Sequence, residues 1–311
     1  MVSIIITSLK EPKTIGKCIK CVANPSYSGL KQNFEVIQVS PDKETLEAGK
    51  KAAKNLKLKN FIQIKDPQKG KPYALNLAFK KARGDILVLT DGDTYMEENA
   101  INYLLKPFKD NKIGGVGGRP KAINDRNTFM GYVGHLLVDA GDYRRRKIMR
   151  KTEEGFYVSD KNFFPMSGYI MATRKEFTNV PPNTLADDAY ISYNIRNQGL
   201  EIAYEPRAIA YIKTPTTIKD YFKQKVRSLG GYIQLKKMGV MQRDRQSRGF
   251  LTEVKHTTYA LFYYPKNLRE FIWSVALHFL RLYLWLLIFI RHILQQEDMP
   301  ENGWERAEST K

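Results

Sequence analysis

Cysteine is scarce in this sequence, with two residues among 311. Two cysteines cannot build a disulfide framework, so small disulfide-rich secreted domains are excluded and a reducing compartment is expected. The first ten residues, MVSIIITSLK, hold only a short apolar run, and we expect no secretory signal peptide. Internal repeats and low-complexity tracts are also absent, while 42% hydrophobic and 27% charged residues are typical of a folded globular chain.

Acidic residues are too few to balance the basic ones: 32 Asp and Glu stand against 51 Lys and Arg, a net charge of +19. Such a charge indicates an anionic partner, which is a nucleic acid, a membrane surface or a phosphorylated substrate. The basic residues cluster at Arg144–Lys151 and Lys219–Lys255, both beside apolar segments. A basic nucleic-acid-binding protein is therefore the alternative from a different functional class; it would place aromatic residues among its basic stripes and would not need paired carboxylates at strand ends.

Strands and helices alternate through the first third of the chain. The β-branched run Val2–Ser8 predicts a strand buried on both faces, and Phe34–Ser40, a strand at Phe61 and a strand ending at Asp91 follow, each after a helical segment. This alternation predicts an α/β fold with a doubly wound sheet. Ligands of such sheets bind beyond the carboxyl ends of the strands, so chemistry is expected after Ser8, Ser40 and Thr90.

The rest of the chain is predicted to be largely helical. We expect short strands near Ile202 and Ala208 and a polar, basic loop at 239–249. The predicted helices are Glu97–Phe108, Asn127–Met149, Asp187–Asn197 and Thr217–Met238. An apolar stretch of twenty residues, Phe271–Ile290, follows them.

Three polar constellations are candidates for chemistry. Asp91 and Asp93 flank a glycine at a strand end, where two carboxylates can converge on one hard cation, although a solvated turn has the same composition. Asp187 and Asp188 begin a predicted helix, where acidic residues also serve as caps. Gln224 and Arg227 are three residues apart and share one face of a helix. Cys18 and Cys21 form a lone CxxC, which we interpret as core residues because no second pair completes a zinc site.

Four segments in order resemble the family 2 glycosyltransferases of the GT-A fold, especially the membrane-bound branch that includes cellulose, chitin and hyaluronan synthases. The resemblance covers Val2–Lys237 and implies a Rossmann-like nucleotide-diphospho-sugar transferase fold followed by C-terminal amphipathic and hydrophobic helices. The segments are KGKPYALNLAFKKARGDILVLTDGDT, FFPMSGYIMATRKEF, ADDAYISYNIRNQGLEIAYEPRA and YFKQKVRSLGG.

The resemblance also implies roles for individual residues. Asp91 and Asp93 would bind Mn²⁺ or Mg²⁺, and Asp188 would activate the acceptor hydroxyl. The residues implied at the nucleotide are Thr7, Glu11, Ser40, Asp42, Lys69, Lys71 and Asp91, and those implied at the diphosphate or acceptor are Asp187, Gln224, Arg227, Ser167 and Gly168.

The sequence departs from the family pattern at three places. The acidic pair usual after the second strand is Ser40-Pro41-Asp42 here, so only Asp42 supplies a carboxylate. The family's QxxRW motif begins at Gln224 and includes Arg227 here, but Ser228 replaces its tryptophan. This replacement weakens any expectation that the enzyme extends a long polysaccharide. The TED motif reads Ala186-Asp187-Asp188, which retains two acids.

These observations predict a metal-dependent, inverting glycosyltransferase that uses a nucleotide-diphospho-sugar, a UDP-sugar in our interpretation, at the cytoplasmic face of a membrane. The predicted partners are this donor, a lipid-linked or glycan acceptor and the membrane surface, with no nucleic acid. A dolichyl-phosphate sugar synthase is the alternative within the same class, and the Gln224 and Arg227 motif argues against it. The predicted parts are a catalytic domain at 1–215, a helix and basic loop at 216–260, a membrane-associating helix at 261–294 and an acidic tail at 295–311.

The apolar C-terminal segment carries one polar stripe, which is typical of a helix at a membrane interface or packed on another part of the protein. Its apolar content also permits a membrane span, since thirteen Leu, Ile, Phe and Val residues outweigh one central arginine. The stripe consists of Asn267, Glu270, Ser274, His278 and Arg281.

Overall fold

The computed structural model describes residues 1–23, 33–159, 163–241, 258–289 and 308–310. Most of the predicted basic loop at 239–249 and of the predicted acidic tail lies outside these residues. The described chain divides into two compact units. One comprises residues 1–121 and 145–212, and the other comprises residues 122–144 and 213–311. The functional division near residue 215 stays a prediction.

Four parallel strands form one half of the sheet in the first unit, in the order β3-β2-β1-β4. Ile4, Ile5 and Ile6 of β1 are fully buried, as expected for a central parallel strand covered on both faces. The elements, which confirm the predicted alternation, are β1 (Val2–Thr7), α1 (Ile15–Ala23), β2 (Phe34–Ser40), α2 (Lys43–Asn55), β3 (Phe61–Lys65), α3 (Lys71–Lys81) and β4 (Ile86–Asp91).

The other half of the sheet contains antiparallel pairs, so the sheet as a whole is mixed and the fold departs from a purely doubly wound sheet. Beyond β4 the order is β9-β6-β10-β8-β7, with β5 also paired to β10 and antiparallel pairing at β4–β9, β9–β6 and β10–β8. The elements are β5 (Tyr95–Met96), α4 (Ala100–Leu105), β6 (Ile113–Ala122), α5 (Phe129–Ile148), β7 (Arg150–Lys151), β8 (Tyr157–Val158), β9 (Met171–Arg174), α6 (Asp187–Asn197) and β10 (Glu201–Ile212).

Two predicted boundaries in this half were wrong. The two short strands expected near Ile202 and Ala208 are the single strand β10; Pro206, which has no N–H to donate, lies between the residues paired with β8 and those paired with β5. The helix expected at Glu97–Phe108 is limited to α4, and a 3₁₀ turn over Lys106–Lys109 follows it, because Pro107 interrupts the α-helical hydrogen bonds.

The second unit is helical. It contains the first part of α5, α7 (Ile218–Lys237), a π-helical turn at Tyr259–Tyr263 and α8 (Leu268–Phe289). Its core joins α5 to α7 and α8 through the buried residues Met130, Tyr132, Val133, Leu136, Tyr221 and Leu277. Among the described residues, the stretch Leu268–Leu287 of α8 is the one helix that length and composition would allow to cross a membrane.

Candidate active site

The turn after β4 carries the Asp91-Gly92-Asp93 motif and is held tightly. The Gly92 N–H donates to the Thr7 carbonyl at 2.9 Å, and the buried Cys18 thiol donates to the Asp91 carbonyl at 3.4 Å. A Cβ on Gly92 would lie 2.5 Å from Glu11 Oε2, so only glycine lets the turn pack on the buried Glu11 side chain. The prediction that Cys18 is a core residue is confirmed.

Lys71 links the two acidic motifs. Its ammonium lies 2.6 Å from Asp91 Oδ1 and 3.9 Å from Asp187 Oδ2, while the Thr7 hydroxyl donates to Asp91 Oδ1 at 3.0 Å. Gly70, whose φ of 98° favours glycine, precedes Lys71 at the start of α3. Burial alone would lower the pKa of Lys71. The negative charges of Asp91, Asp187 and Asp188 outweigh burial and hold this pKa above its usual value. The lysine is therefore a permanent cation among these carboxylates.

The acidic groups around Lys71 are costly to ionise together. Burial, followed by repulsion from Asp91, raises the pKa of Asp93 to about 6. Burial also raises the pKa of Asp187, although Lys71 lowers it. Such a set of carboxylates favours a further cation. No cluster of three or more His, Cys, Asp or Glu side chains that could hold a metal occurs in the described part of the chain.

Asp188 is oriented by two backbone amides at the start of α6. Its Oδ2 accepts the Gly168 N–H at 3.0 Å, and its Oδ1 accepts the Ala189 N–H at 2.7 Å. The N-cap of α6 is Ala186, and no side chain caps the helix, so the predicted capping role of Asp188 is not what the structure shows. Gly168 belongs to the FFPMSGYIMATRKEF segment. A Cβ on Gly168 would lie 3.5 Å from Asp188 Oδ2 and 3.6 Å from Lys71 Nζ. Gly168 thus lies beside both charged groups.

The segment around Gly168 is fixed to α6 and β4. The Ser192 hydroxyl donates to the Asp188 carbonyl at 2.6 Å and accepts the Met166 N–H at 3.0 Å. The Thr90 hydroxyl donates to the Tyr169 carbonyl at 2.9 Å. The half-buried Ser167 forms an isolated bridge with Ile170. The structure therefore brings the predicted residues Asp91, Lys71, Asp187, Asp188 and Gly168 together.

The ends of β1 and β2 meet in one hydrogen-bonded loop cluster. Both carboxylate oxygens of Asp42 are engaged: Oδ1 accepts the Thr45 N–H at 2.9 Å, and Oδ2 accepts the Lys10 N–H at 2.7 Å and the Ser40 hydroxyl at 3.0 Å. Asp42 is thus the N-cap of α2. The Glu11 N–H donates to the Thr45 hydroxyl at 2.8 Å. These contacts order the loops where a nucleotide was predicted.

One acidic side chain at this edge was missed by the sequence reasoning. Asp66 follows β3 directly, is buried, and accepts the Gln68 N–H at 2.7 Å. Burial raises the pKa of Asp66, and Asp42 raises it further. The sequence did contain a signal for this residue, because Asp66 is an acidic residue directly after the strand FIQIK.

The remaining predicted residues lie apart from the carboxylates or in the second unit. The exposed Lys69 lies over the Tyr73 ring at 5.6 Å, so of the two predicted lysines only Lys71 contacts the acids. Gln224 and Arg227 lie on α7 of the second unit. Their role at the diphosphate stays a prediction.

Residues 1–231 match the family described as "Glycosyltransferase like family 2". The chain belongs to glycosyltransferase family 2. The protein is 25% identical to the probable glycosyltransferase YdaM of Bacillus subtilis, over all of this chain and 76% of that protein. It is 24% identical to the poly-beta-1,6-N-acetyl-D-glucosamine synthase of Staphylococcus epidermidis, over 74% of this chain and 54% of the synthase. The glycosyltransferase thus spans about half the length of that relative.

The solved structures confirm the GT-A architecture. The mannosyltransferase PcManGT from Pyrobaculum calidifontis, solved in complex with GDP-Man and Mn²⁺, has a TM-score of 0.58 and 17% identity. The similarity covers 97% of this chain and 82% of that one. At this identity the likeness establishes the fold.

Proposed function

We propose that this glycosyltransferase moves a sugar from a nucleotide-diphospho-sugar, a UDP-sugar, to an acceptor hydroxyl with inversion at the anomeric carbon. The observation that carries the proposal is the group of four carboxylates around Lys71, since the ammonium lies 2.6 Å from Asp91 and 3.9 Å from Asp187. A donor diphosphate brings clustered negative charge that grows as the sugar leaves. Lys71 supplies one positive charge to meet it, and a divalent ion held by the carboxylates would supply more.

A divalent ion suits the acidic residues at the end of β4. Asp93 and Asp91 would hold Mn²⁺ or Mg²⁺, because burial and the neighbouring charge that raise the pKa of Asp93 make a bound cation favourable there. Two carboxylates leave room for phosphate oxygens in the coordination sphere. When bound, the ion supplies charge neutralisation for the diphosphate. Lys71, held against Asp91, adds a second positive charge beside it.

Asp188 is proposed as the general base. Its carboxylate is aimed by the amides of Gly168 and Ala189, which leaves lone pairs on both oxygens for an acceptor hydroxyl. The acceptor oxygen bonds to the anomeric carbon while the bond from that carbon to the diphosphate breaks. The hydroxyl proton passes to Asp188, and the nucleoside diphosphate leaves. A single displacement of this kind inverts the anomeric configuration.

Nucleotide binding is assigned to the loops after β1, β2 and β3. The Asp42 carboxylate already accepts hydrogen bonds from three donors of the protein. We therefore assign to Thr7, Glu11, Ser40 and Asp42 mainly the role of fixing the shape of the nucleotide-binding loops. Asp66 adds a buried acid at the same edge. Arg227 and Gln224 of α7, with Ser167 beside Gly168, complete the proposed set at the diphosphate and acceptor.

The proposed acceptor is a lipid-linked sugar or a glycan, at the cytoplasmic face of a membrane. The glycan is supported by the similarity to a poly-beta-1,6-N-acetyl-D-glucosamine synthase. The membrane is supported by the apolar helix α8 and by the basic residues of α7. The proposed catalytic part is residues 1–215, with 216–294 as the membrane-associated part.

The experiment is a screen of nucleotide sugars for release of nucleoside diphosphate, with Mn²⁺ or with EDTA, followed by product analysis for anomeric configuration. We expect Mn²⁺-dependent turnover of a UDP-sugar and an inverted product. Retention of configuration would overturn the single-displacement mechanism, and turnover unaffected by EDTA would overturn the metal assignment.

A further inference from the structure

Helix α8 has its polar side turned inward and its apolar side turned outward. Glu270, Ser274, Leu277 and Leu284 are buried and recur at helical spacing on one face. The opposite face is exposed and apolar over the whole helix, at Leu268, Ile272, Phe279, Leu282, Tyr283 and Leu286. In a helix on a water-soluble surface the arrangement is reversed.

The inward polar side chains are satisfied within the second unit. Arg126 donates twice to the Glu270 carboxylate, at 3.0 Å each, and donates to the Tyr264 hydroxyl at 2.8 Å. Tyr132 and Ser274 share a hydrogen bond of 2.6 Å between their hydroxyls. These contacts with the half-buried Arg126 and the buried Tyr132 fix the rotation of α8 about its axis. The apolar face is therefore held outward by specific contacts.

The packing of α8 extends along its length. Trp273 contacts Phe129 and Tyr132 of α5, with ring centroids at 6.2 and 5.7 Å, and Tyr283 contacts Phe222 of α7 at 6.0 Å. Among the described residues only α8 has the length and composition of a membrane span. A bilayer-crossing α8 would carry α5 and α7 into the hydrocarbon, and these two helices bear many charged residues.

The exposed charges at this face are positive. Glu270 is the one acidic residue within 258–289, and it is buried, whereas Lys266 and Arg269 are exposed at the start of α8. Phe262 and Tyr263 lie on the π-helical turn that precedes α8, and their side chains are 70% and 79% exposed. Aromatic and aliphatic side chains flanked by lysine and arginine match the boundary between anionic headgroups and acyl chains.

We propose that α8 and the Phe262–Tyr263 pair form an in-plane anchor that lies in one leaflet of an anionic membrane and does not cross it. The inference rests on the membrane location proposed above and adds its geometry and lipid chemistry. In this arrangement the apolar face of α8 enters the acyl boundary, while α5 and α7 stay on the aqueous side. The glycosyltransferase would then work on acceptors presented at the surface of that leaflet.

Spin-label depth measurements distinguish an in-plane helix from a span. Nitroxides would be attached at Leu268→Cys, Ile272→Cys, Phe279→Cys or Leu286→Cys, one at a time, in full-length protein whose native cysteines are replaced by alanine. The vesicles would contain phosphatidylglycerol and phosphatidylcholine. An in-plane anchor predicts similar depths for the four labels, about 5–10 Å below the headgroups. A span predicts that Phe279 is deepest, because positions 268 and 286 are about 27 Å apart along a helix, and this result would overturn the proposal.

Vesicle binding of single variants identifies the surface. Phe279→Ser and Leu286→Ser should each weaken binding to anionic vesicles about tenfold, since each removes a large apolar side chain from the bilayer boundary. The matched control is Ile123→Ser, an equally exposed apolar residue of the same unit outside α8, which should leave binding unchanged. Equal binding to vesicles of phosphatidylcholine alone, or a dimer through this face with no vesicle binding, would contradict the proposal.

The outcome is independent of the catalytic assignment. In detergent, Phe279→Ser and Leu286→Ser should hydrolyse the nucleotide sugar at the wild-type rate. Vesicle binding that fails while hydrolysis persists would refute the anchor alone. Absence of hydrolysis with intact vesicle binding would refute the proposed function alone.

Discussion

The Lys71 ammonium lies 2.6 Å from Asp91 Oδ1, although 20 residues separate the two in the sequence. The contact joins the start of α3 to the end of β4, and Asp187 of α6 lies 3.9 Å from the same ammonium. One lysine thus places the proposed metal ligands and the proposed base around a single positive centre.

Removal of this lysine should damage both folding and turnover. Lys71→Met leaves half-buried carboxylates facing one another, and we expect a loss of about 1–3 kcal/mol in the free energy of unfolding. Turnover should fall with it. Urea unfolding and donor hydrolysis measure the two effects. The control is Lys69→Met, an exposed neighbour whose effect on stability should stay within about 0.5 kcal/mol. Equal stability of Lys71→Met and wild type would contradict the role given to the ion pair.

The base assignment of Asp188 is separable from its two contacts with backbone amides. Asp188→Asn retains an oxygen able to accept the Gly168 or Ala189 N–H but loses the proton acceptor, so the transfer rate should fall on the order of 10² to 10⁴ while UDP binding persists. As a cap alone, its loss would cost about 0.5 to 2 kcal/mol of stability and spare the rate. Asp187→Asn is the comparison, and we expect a milder effect on rate. A folded Asp188→Asn enzyme within a few-fold of the wild-type rate would refute the assignment.

Two glycines of the site should respond differently to alanine. At Gly92 a Cβ would lie 2.5 Å from Glu11 Oε2 and 2.7 Å from Ser8 Cβ, so Gly92→Ala should destabilise the protein. At Gly168 the same atom makes ordinary contacts of 3.5 Å and longer, so Gly168→Ala should fold normally. Its methyl group lies beside Asp188 and Lys71 and should slow transfer by about tenfold or more through displacement of the acceptor. Thermal unfolding and transfer kinetics together test this pair. A normal rate for Gly168→Ala would exclude an acceptor at that point.

Glu35 should contribute to the acid sensitivity of the fold. Burial raises the pKa of Glu35, but hydrogen bonds from Ser3 and Arg83 and the Arg83 charge together lower it below the usual 4.5. Its contribution to stability is therefore complete above pH 4.5 and is lost as the pH falls through the folded-state pKa. Glu35→Gln should flatten the fall in unfolding free energy below pH 4.5. Identical slopes for variant and wild type in urea titrations would contradict this.

The sequence predicted the parallel half of the sheet well because its strands are rich in valine, isoleucine and leucine. β2 and α6 have the predicted bounds, and β1 ends one residue earlier than expected. The antiparallel order of β9, β6 and β10 was not predicted, since pairing between strands distant in sequence is decided by tertiary packing.

The site was predicted in its residue types and not in its contacts. The spacing of the motifs cannot show that Lys71 reaches Asp187, 116 residues later, or that Asp42 is used as a helix cap. Asp66 was missed because a single acid after a strand is common. The polar stripe of α8 was recognised, but only its contacts with Arg126 and Tyr132 show which face is turned outward.

The most direct test of the central claim is calorimetric binding of UDP to the full-length enzyme, with Mn²⁺ and with EDTA. The account predicts that Mn²⁺ is required for tight binding and that Asp93→Ala abolishes this dependence while the protein remains folded. UDP affinity that is the same in EDTA as in Mn²⁺ would contradict a metal-dependent nucleotide-sugar site at Asp91 and Asp93.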